Sequence, residues 1–173
     1  MPRADHLLAS DDALIAQCEV DRYRASGPGG QHRNKTESAV RLRHRLTGVS
    51  AIGEDSRSQA ENKMHAVRRL RSAIALGVRE PVALDGFVAS TRLAGLVAGG
   101  TAPLGARTRQ TGEYWAAIGE LLDVLVAGGI EIATTAQRLG ITTGALSKLL
   151  LHDELVARTV NDLRRARGLR PLR

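Results

Sequence analysis

Residues 24–46 read R-A-S-G-P-G-G-Q-H-R-N-K-T-E-S-A-V-R-L-R-H-R-L, and the most informative signals of the chain lie within this stretch. Gly27, Gly29 and Gly30 make a turn that no side chain obstructs, and glycine reaches conformations that other residues avoid. Gln31 follows with a short amide that both donates and accepts hydrogen bonds. The next polar and basic residues are His32, Arg33, Asn34, Lys35 and Thr36. This combination suits insertion of a nearly bare backbone into a crowded, anionic environment.

The residues on both sides of this turn predict strands. Residues 18–23 predict one strand, in which Cys18 is a small buried residue. Residues 39–46 alternate, with Val40, Leu42, His44 and Leu46 on one face and Arg41, Arg43 and Arg45 on the other. This pattern predicts a half-buried strand that exposes a row of arginines, and it makes His44 structural rather than catalytic. After a turn at Thr47 and Gly48, residues 49–54 predict the returning strand of a hairpin.

Two helices are predicted around these strands. Ser10 is placed to cap a short helix over residues 10–16. Ser58 and Glu61 have the spacing of a capping box and announce a longer helix that Gly77 can end. The expected apolar stripe of that helix is Ala60, Met64, Val67, Leu70 and Ile74. Its expected outer face is Lys63, Arg68, Arg69 and Arg71.

The string S-G-P-G-G-Q-H-R-N-K-T at residues 26–36 resembles the catalytic loop of class I peptide-chain release factors and of small stand-alone proteins that rescue stalled ribosomes. The resemblance continues through S-A-V-R-L-R-H at residues 38–44 and R-S-Q-A-E-N-K at residues 57–63, and covers roughly residues 17–76. It implies an α+β fold, in which a small sheet packs against one helix to form a Gly-Gly-Gln catalytic domain.

The resemblance also implies an activity, which is hydrolysis of the ester that joins a nascent peptide to tRNA in the large ribosomal subunit. The implied catalytic residues are Gly29, Gly30 and Gln31. The implied RNA-binding residues are Arg24, His32, Arg33, Asn34, Lys35, Arg41, Arg43, Arg45, Arg57 and Lys63. The partners would be large-subunit rRNA and P-site peptidyl-tRNA, and neither a cofactor nor a metal is expected. A donor-rich loop with few side chains can stabilise developing negative charge without a titrating residue.

The second half of the chain predicts helices. We expect domain boundaries at residues 1–80 for the catalytic domain, 81–111 for a connector with one short helix, and 112–173 for a helical bundle. Within the bundle, Ala136, Gly140, Leu146 and Leu149 have the pattern of a helix-turn-helix. The final arginines could follow phosphates, including those of the mRNA channel: they are Arg164, Arg165, Arg167, Arg170 and Arg173.

The composition favours an anionic partner, because the formal net charge is +7 and the pI is about 10.6. Aromatic residues make up only 2% of the chain, which argues against recognition by base stacking. The single cysteine excludes an internal disulfide, and no apolar run suggests a signal peptide or a membrane span. A monomeric cytoplasmic protein is expected.

The layout differs from that of a codon-reading release factor, because only 26 residues precede Gly27 and Arg33 replaces a usually apolar residue. Codon-independent ribosome rescue is therefore the first hypothesis. The second is a non-catalytic protein that binds ribosomes or tRNA. The third is a DNA-binding regulator, disfavoured because the second helix of the helix-turn-helix offers few basic side chains.

Overall fold

The computed structural model describes residues 1–24, 38–99 and 111–173, and these residues divide into two compact units, Met1–Val78 and Arg79–Arg173. The first unit combines a three-stranded sheet with helices, and the second is helical. The expected fold class, an α+β domain followed by a helix-turn-helix-like bundle, is confirmed. No helix within the described ranges is both long and apolar enough to cross a lipid bilayer.

The first unit begins with two short helices, α1 (Arg3–Leu8) and α2 (Asp11–Ala16). Three antiparallel strands follow in the order in which they occur: β1 (Cys18–Tyr23), β2 (Ala39–His44) and β3 (Ser50–Gly53). The unit ends with α3 (Gln59–Gly77), which packs mainly on β2 and β3.

Two of the local predictions before and within the sheet are confirmed, and one is wrong. Ser10 caps α2, since its hydroxyl accepts the N–H of Ala13 at 3.2 Å. Strand β1 has the predicted bounds. The prediction for Leu46 is wrong, because β2 stops at His44 and Leu46 is 69% exposed. The turn causes this difference: the N–H of Gly48 donates to the carbonyl of His44 at 2.8 Å, so the alternation ends before it reaches Leu46.

The capping box of α3 is present in extended form. The Ser58 hydroxyl accepts the N–H of Glu61 at 3.3 Å, as the spacing predicts. The N–H of Ser58 donates to the Ser56 hydroxyl at 3.0 Å, and that hydroxyl in turn donates to the Glu61 carboxylate. Ser56 is therefore inserted between the two groups that a simple capping box joins directly.

The buried face of α3 is rotated from the expected one near its start. Ala60 is exposed and Met64 is 38% exposed, whereas Asn62 and Ala66 are buried against the sheet. The later positions of the predicted stripe are buried as expected, at Val67, Leu70 and Ile74. Packing on the sheet explains this rotation. The helix lies over β2 and β3, and its first turns do not cover the inner face of β1.

Arg71, expected on the outer face of α3, is buried. Its Nε donates to the carbonyl of Leu7 at 3.1 Å, and its other nitrogens bind the carbonyl of Ala9 and the carboxylate of Asp11. A buried guanidinium is tolerated when its donors are satisfied in this way. Arg71 thus connects α3 to the chain reversal between α1 and α2.

The second unit contains five helices among the residues that are described. They are α4 (Thr91–Ala98), α5 (Gly112–Ala127), α6 (Ile132–Arg138), α7 (Thr143–His152) and α8 (Glu154–Ala166). The side chains of Ile118, Leu121, Leu122 and Leu125 on α5 are fully buried, so this helix forms the centre of the unit.

The corner between α6 and α7 is the predicted helix-turn-helix. Gly140 has a φ of +67°, and the N–H of Ile141 donates to the carbonyl of Ala136 at 3.0 Å. Ala136, Leu146 and Leu149 are buried behind this turn. The corner therefore forms from the glycine and the apolar residues that the sequence pattern singles out.

The residues expected to connect the two domains include the eight-residue helix α4. Ser90 caps it by accepting the N–H of Leu93 at 3.2 Å, and the Ser90 hydroxyl also donates to the carboxylate of Glu120 on α5. Upstream, Arg79 donates to the buried carboxylate of Asp123 at 3.1 Å. Residues 79–99 thus belong to the helical unit, while residues 100–110 lie outside the described part.

Candidate active site

The predicted catalytic loop connects β1 to β2 at one end of the sheet. Tyr23 and Ala39 are the last paired residues of these strands, and Arg24 and Ser38 are the next residues that the structure describes. The predicted site residues of the loop lie outside the described residues: Gly29, Gly30, Gln31, His32, Arg33, Asn34 and Lys35. The structure therefore defines the base of the loop.

Asn62 holds the outgoing side of this base. It is fully buried, and its Nδ2 donates to the carbonyls of Ser38 and Ser56, each at 2.8 Å. Its Oδ1 accepts the N–H of Ser56 at 2.8 Å. One amide thus fixes the first residue after the loop to α3. Sequence reasoning did not select Asn62, although it lies within the R-S-Q-A-E-N-K string that carries the resemblance.

Close packing of β3 on α3 places this amide. A Cβ built on Gly53 would lie 1.9 Å from the carbonyl oxygen of Asn62 and 3.0 Å from the amide nitrogen of Ala66. Only glycine at residue 53 allows the strand to approach the helix backbone at this distance. Gly53 pairs with Val40 in the sheet, so the start of β2 lies close to the same part of α3, next to the outgoing side of the loop.

Arg41, Arg43 and Arg45 are exposed, as the alternation of β2 predicts. Arg41 and Arg43 lie beside acidic residues, because the sheet register pairs Arg41 with Asp21 and Arg43 with Glu19. The guanidinium of Arg43 is 3.9 Å from the Glu19 carboxylate. The acidic side chains therefore offset part of the positive charge that the arginines give to the outer face of the sheet.

Two of these arginines have further contacts with the framework. Arg41 lies over the ring of Tyr23 at 5.2 Å, and the Tyr23 hydroxyl donates to Glu54 at 3.3 Å. Partial burial, reinforced by the Glu54 carboxylate, raises the pKa of Tyr23. Arg45 donates to the carbonyl of Ala16 at 3.1 Å. Arg41 thus sits beside the incoming side of the loop, and Arg45 lies at the far end of the strand.

Lys63 lies on the opposite side of the sheet, together with Arg22. These two cations line an open groove of about 340 Å³, whose other lining residues are Val20, Val40, Gln59 and Ala60. The groove exists because α3 does not cover the inner face of β1, where Val20 is 41% exposed. The predicted RNA-binding residues therefore lie on both faces of the sheet. Arg22 is a further cation on the face that α3 covers in part. Arg24 and Arg57 are also exposed.

His44 is part of a buried polar network away from the loop. Its Nδ1 lies 2.9 Å from the Thr47 hydroxyl and its Nε2 lies 3.1 Å from Oε1 of Gln17. His6 also reaches Gln17, at 2.6 Å, and the two imidazoles meet edge to face at 4.6 Å. Burial lowers the pKa of His44, and His6 lowers it further. These contacts are consistent with a structural role for His44.

Comparison with known proteins identifies the domain that carries this loop. Residues 14–82 match the family described as "RF-1 domain". The chain carries an RF-1 domain. The recognition based on the Gly-Gly-Gln string is thereby confirmed for residues 14–82, which form a domain of the kind that class I release factors contain.

Curated relatives match the same part of the chain. Peptide chain release factor 1 of Geobacter metallireducens is 50% identical over 62 residues, which are 36% of this chain and 18% of the relative. Peptide chain release factor 2 of Buchnera aphidicola is 52% identical over 69 residues, or 37% of this chain and 19% of the relative. Peptide chain release factor 1 of Leptothrix cholodnii is 45% identical over 80 residues, which are 46% of this chain and 22% of the relative. The chain thus spans about a fifth of the length of these relatives, and no solved structure matches it.

Proposed function

We propose that this protein hydrolyses the ester of peptidyl-tRNA on the ribosome, and so releases the nascent peptide. The observation that carries the proposal is the RF-1 domain at residues 14–82, which contains the complete Gly-Gly-Gln string and is about half identical to peptide chain release factors. The partners are large-subunit rRNA and P-site peptidyl-tRNA, and the protein acts in the cytoplasm.

In this proposal Gln31 is the central catalytic residue. Its backbone N–H stabilises the negative charge that develops in the transition state, while its side-chain amide confines the attacking water. Gly29 and Gly30 permit close approach to the tRNA end, where a Cβ would both clash and restrict φ. The ribosome completes the site, so the protein needs no titrating residue of its own.

The described residues support this role through the base of the loop. Tyr23 and Ala39 are paired, and Asn62 binds Ser38. Both sides of the loop therefore leave a framework that hydrogen bonds hold in place. A catalytic group needs such support, because small misplacements reduce the rate strongly. The predicted RNA-binding arginines on the outer face and Lys63 in the groove would hold the domain against rRNA.

We propose further that release does not depend on a stop codon. Residues 3–16 form α1 and α2, which pack on the catalytic domain itself: Arg71 of α3 binds Leu7, Ala9 and Asp11. These residues therefore support the catalytic domain. Contact of the arginines from Arg164 onward with the mRNA channel stays a prediction, and it would require them to leave the folded arrangement described below.

A release assay with purified stalled complexes tests the activity. The protein should release peptide from ribosomes whose mRNA ends at the P site, without a stop codon. Gln31→Ala removes the side-chain amide that confines the water and should reduce the rate by about 10²–10³, the usual effect of losing one positioned hydrogen-bonding group. Gly30→Ala should also reduce the rate strongly, because the added Cβ restricts φ and hinders close approach. Gln137→Ala, on the exposed side of α6, and Gly77→Ala, with no atom near its added Cβ, are the matched controls.

The same experiment separates the alternatives. Full activity of both loop variants would refute the catalytic role of the loop. Cosedimentation with ribosomes, without release from any stalled complex, would favour the non-catalytic binding protein. Complexes that differ only in the A-site codon, sense against stop, test codon independence: release confined to stop codons would refute that part of the proposal.

A further inference from the structure

The chain reverses direction after α8. Gly168 has a φ of +69°, its N–H donates to the carbonyl of Arg165 at 3.0 Å, and the N–H of Leu169 donates to the carbonyl of Arg164 at 2.9 Å. These two bonds form a Schellman motif, in which glycine adopts the left-handed conformation that ends a helix. Pro171 follows and prevents a return to helix. Residues 167–173 are called the returning segment here.

Side chains of α8 hold the returning segment against the helix. The Oδ1 of Asn161 accepts the N–H of Leu172 at 2.7 Å, and its Nδ2 donates to the carbonyl of Leu172 at 3.3 Å. Arg164 donates from Nε to the carbonyl of Arg170 at 2.7 Å and from Nη1 to the carbonyl of Ile130 at 2.9 Å. Arg164 therefore has a structural role, and the segment lies folded along α8.

This arrangement brings many arginines together within α8 and the returning segment. Residues 158–173 contain six arginines and one acidic residue, Asp162, which pairs with Arg165. Arg158, Arg167, Arg170 and Arg173 are exposed, and no side chain in the described part of the protein pairs with their guanidinium groups. Four cationic groups are thus presented to solvent at positions that the folded backbone sets.

The chemistry of this surface points to phosphate groups. All of its cations are arginines, whose planar guanidinium binds phosphate through two parallel hydrogen bonds. Residues 154–173 contain no aromatic side chain, so the surface has no platform on which the bases of a single strand could stack. Double-helical RNA is bound mainly through its backbone and shape, which needs no such platform.

We propose that α8 and the returning segment form a fixed surface that binds the phosphate backbone of double-helical RNA, rather than an extended arm that follows a single strand. The proposal relies on the proposed function for its biological partner, an rRNA helix of the ribosome. Because the backbone of this segment is already folded, binding costs little backbone entropy, and the remaining cost is the ordering of the arginine side chains.

Binding of the full chain to two labelled RNAs tests the proposal. The probes are a 20-base-pair duplex and a 20-nucleotide single strand, followed by fluorescence anisotropy at several salt concentrations. The triple variant Arg167→Gln, Arg170→Gln, Arg173→Gln should weaken duplex binding about tenfold or more and lower the salt slope by about three, roughly one per lost phosphate contact. The control, Arg92→Gln with Arg138→Gln and Lys148→Gln, removes equal charge elsewhere in the same unit and should have a much smaller effect.

A second variant tests the folded arrangement itself. Asn161→Ala keeps every arginine but removes both bonds to Leu172, so it should weaken duplex binding and reduce the preference for duplex over single strand. Faster hydrogen exchange at residues 167–173 would show that the segment is released. Unchanged duplex affinity after that release would overturn the fixed surface, as would tighter binding to the single strand.

Two further outcomes are decisive. Equal loss of binding in the charge control would overturn the assignment to this surface, and competition by polyglutamate as effective as that by duplex RNA would point to an acidic protein instead. Gln31→Ala separates this proposal from the proposed function, because it should slow peptide release strongly and leave duplex binding unchanged.

Discussion

The packing of β3 on α3 leads to a sharp prediction for Gly53→Ala. The added Cβ would lie 1.9 Å from the carbonyl oxygen of Asn62, 2.8 Å from its carbonyl carbon and 3.0 Å from the amide nitrogen of Ala66. All three are backbone atoms, so no side-chain rotation relieves the contact. To bring the shortest distance to 3.0 Å, the strand and the helix must separate by about 1 Å.

The expected loss of stability has two sources. Overpacking in a close-packed core costs about 1–3 kcal/mol. Separation also weakens the hydrogen bonds of the Asn62 amide to Ser38 and Ser56, and each contributes about 1 kcal/mol. Gly53→Ala should therefore lower the free energy of unfolding by about 3–5 kcal/mol. Because Asn62 holds the outgoing side of the loop, peptide release should fall in the molecules that remain folded.

Gly77→Ala is the matched control. It adds the same methyl group at the end of α3, where a Cβ would meet no atom within 4 Å, so its free energy of unfolding should stay within about 0.5 kcal/mol of the parent. Urea unfolding followed by circular dichroism measures both values, and peptide-resolved hydrogen exchange assigns the loss to residues 1–78. If the two variants unfold within 1 kcal/mol of each other, the argument from close packing is wrong.

Three further predictions follow from buried polar groups. Asn62→Ala should lower the free energy of unfolding by about 3 kcal/mol, because it leaves the Ser38 and Ser56 carbonyls and the Ser56 N–H without this partner. It should also slow peptide release more than a variant of equal stability loss away from the loop, such as Val67→Ala; equal rates would contradict the anchoring role. Arg71→Met should cost about 3–5 kcal/mol, because it removes a buried charge that binds Leu7, Ala9 and Asp11, whereas Arg68→Met on the exposed side should stay within about 0.5 kcal/mol. Similar urea midpoints for the two variants would refute this. His44 should make stability pH-dependent: its pKa is lowered in the folded protein, so the unfolded chain binds the proton more readily, and stability should fall as the pH drops below 6.5. Urea midpoints between pH 7.5 and pH 5 should show this fall and lose part of it in His44→Gln but not in the exposed control His152→Gln; an unchanged profile in His44→Gln would contradict the assignment.

Several features of the fold could be predicted from the sequence because their causes act within a few residues. Ser10 and Ser58 cap helices through an N–H three residues ahead, and Gly140 supplies the turn of the helix-turn-helix. Strand β1 has the predicted bounds, and the alternation of β2 holds up to His44. The Gly-Gly-Gln string by itself identified the kind of domain that residues 14–82 form.

Other features required the tertiary structure because their causes lie far apart in sequence. From the sequence alone Arg71 is expected to be exposed. In the structure α1 and α2 place Leu7 and Asp11, about sixty residues away in sequence, in contact with it. Asn62 replaces Met64 on the buried side, because Gly53 allows β3 to approach the helix backbone and the Asn62 amide is satisfied there. The alternation of β2 predicted exposed arginines, but only the sheet register placed Glu19 and Asp21 beside them.

The sequence by itself therefore determined the kind of domain that residues 14–82 form, and the local turns and caps, since these depend on the chemistry of neighbouring residues. Only the tertiary structure decided which polar groups are buried, which face of α3 meets the sheet, and that the last arginines fold along α8. Those outcomes depend on long-range packing and on hydrogen bonds that a buried group must find. No pattern of neighbouring residues records them.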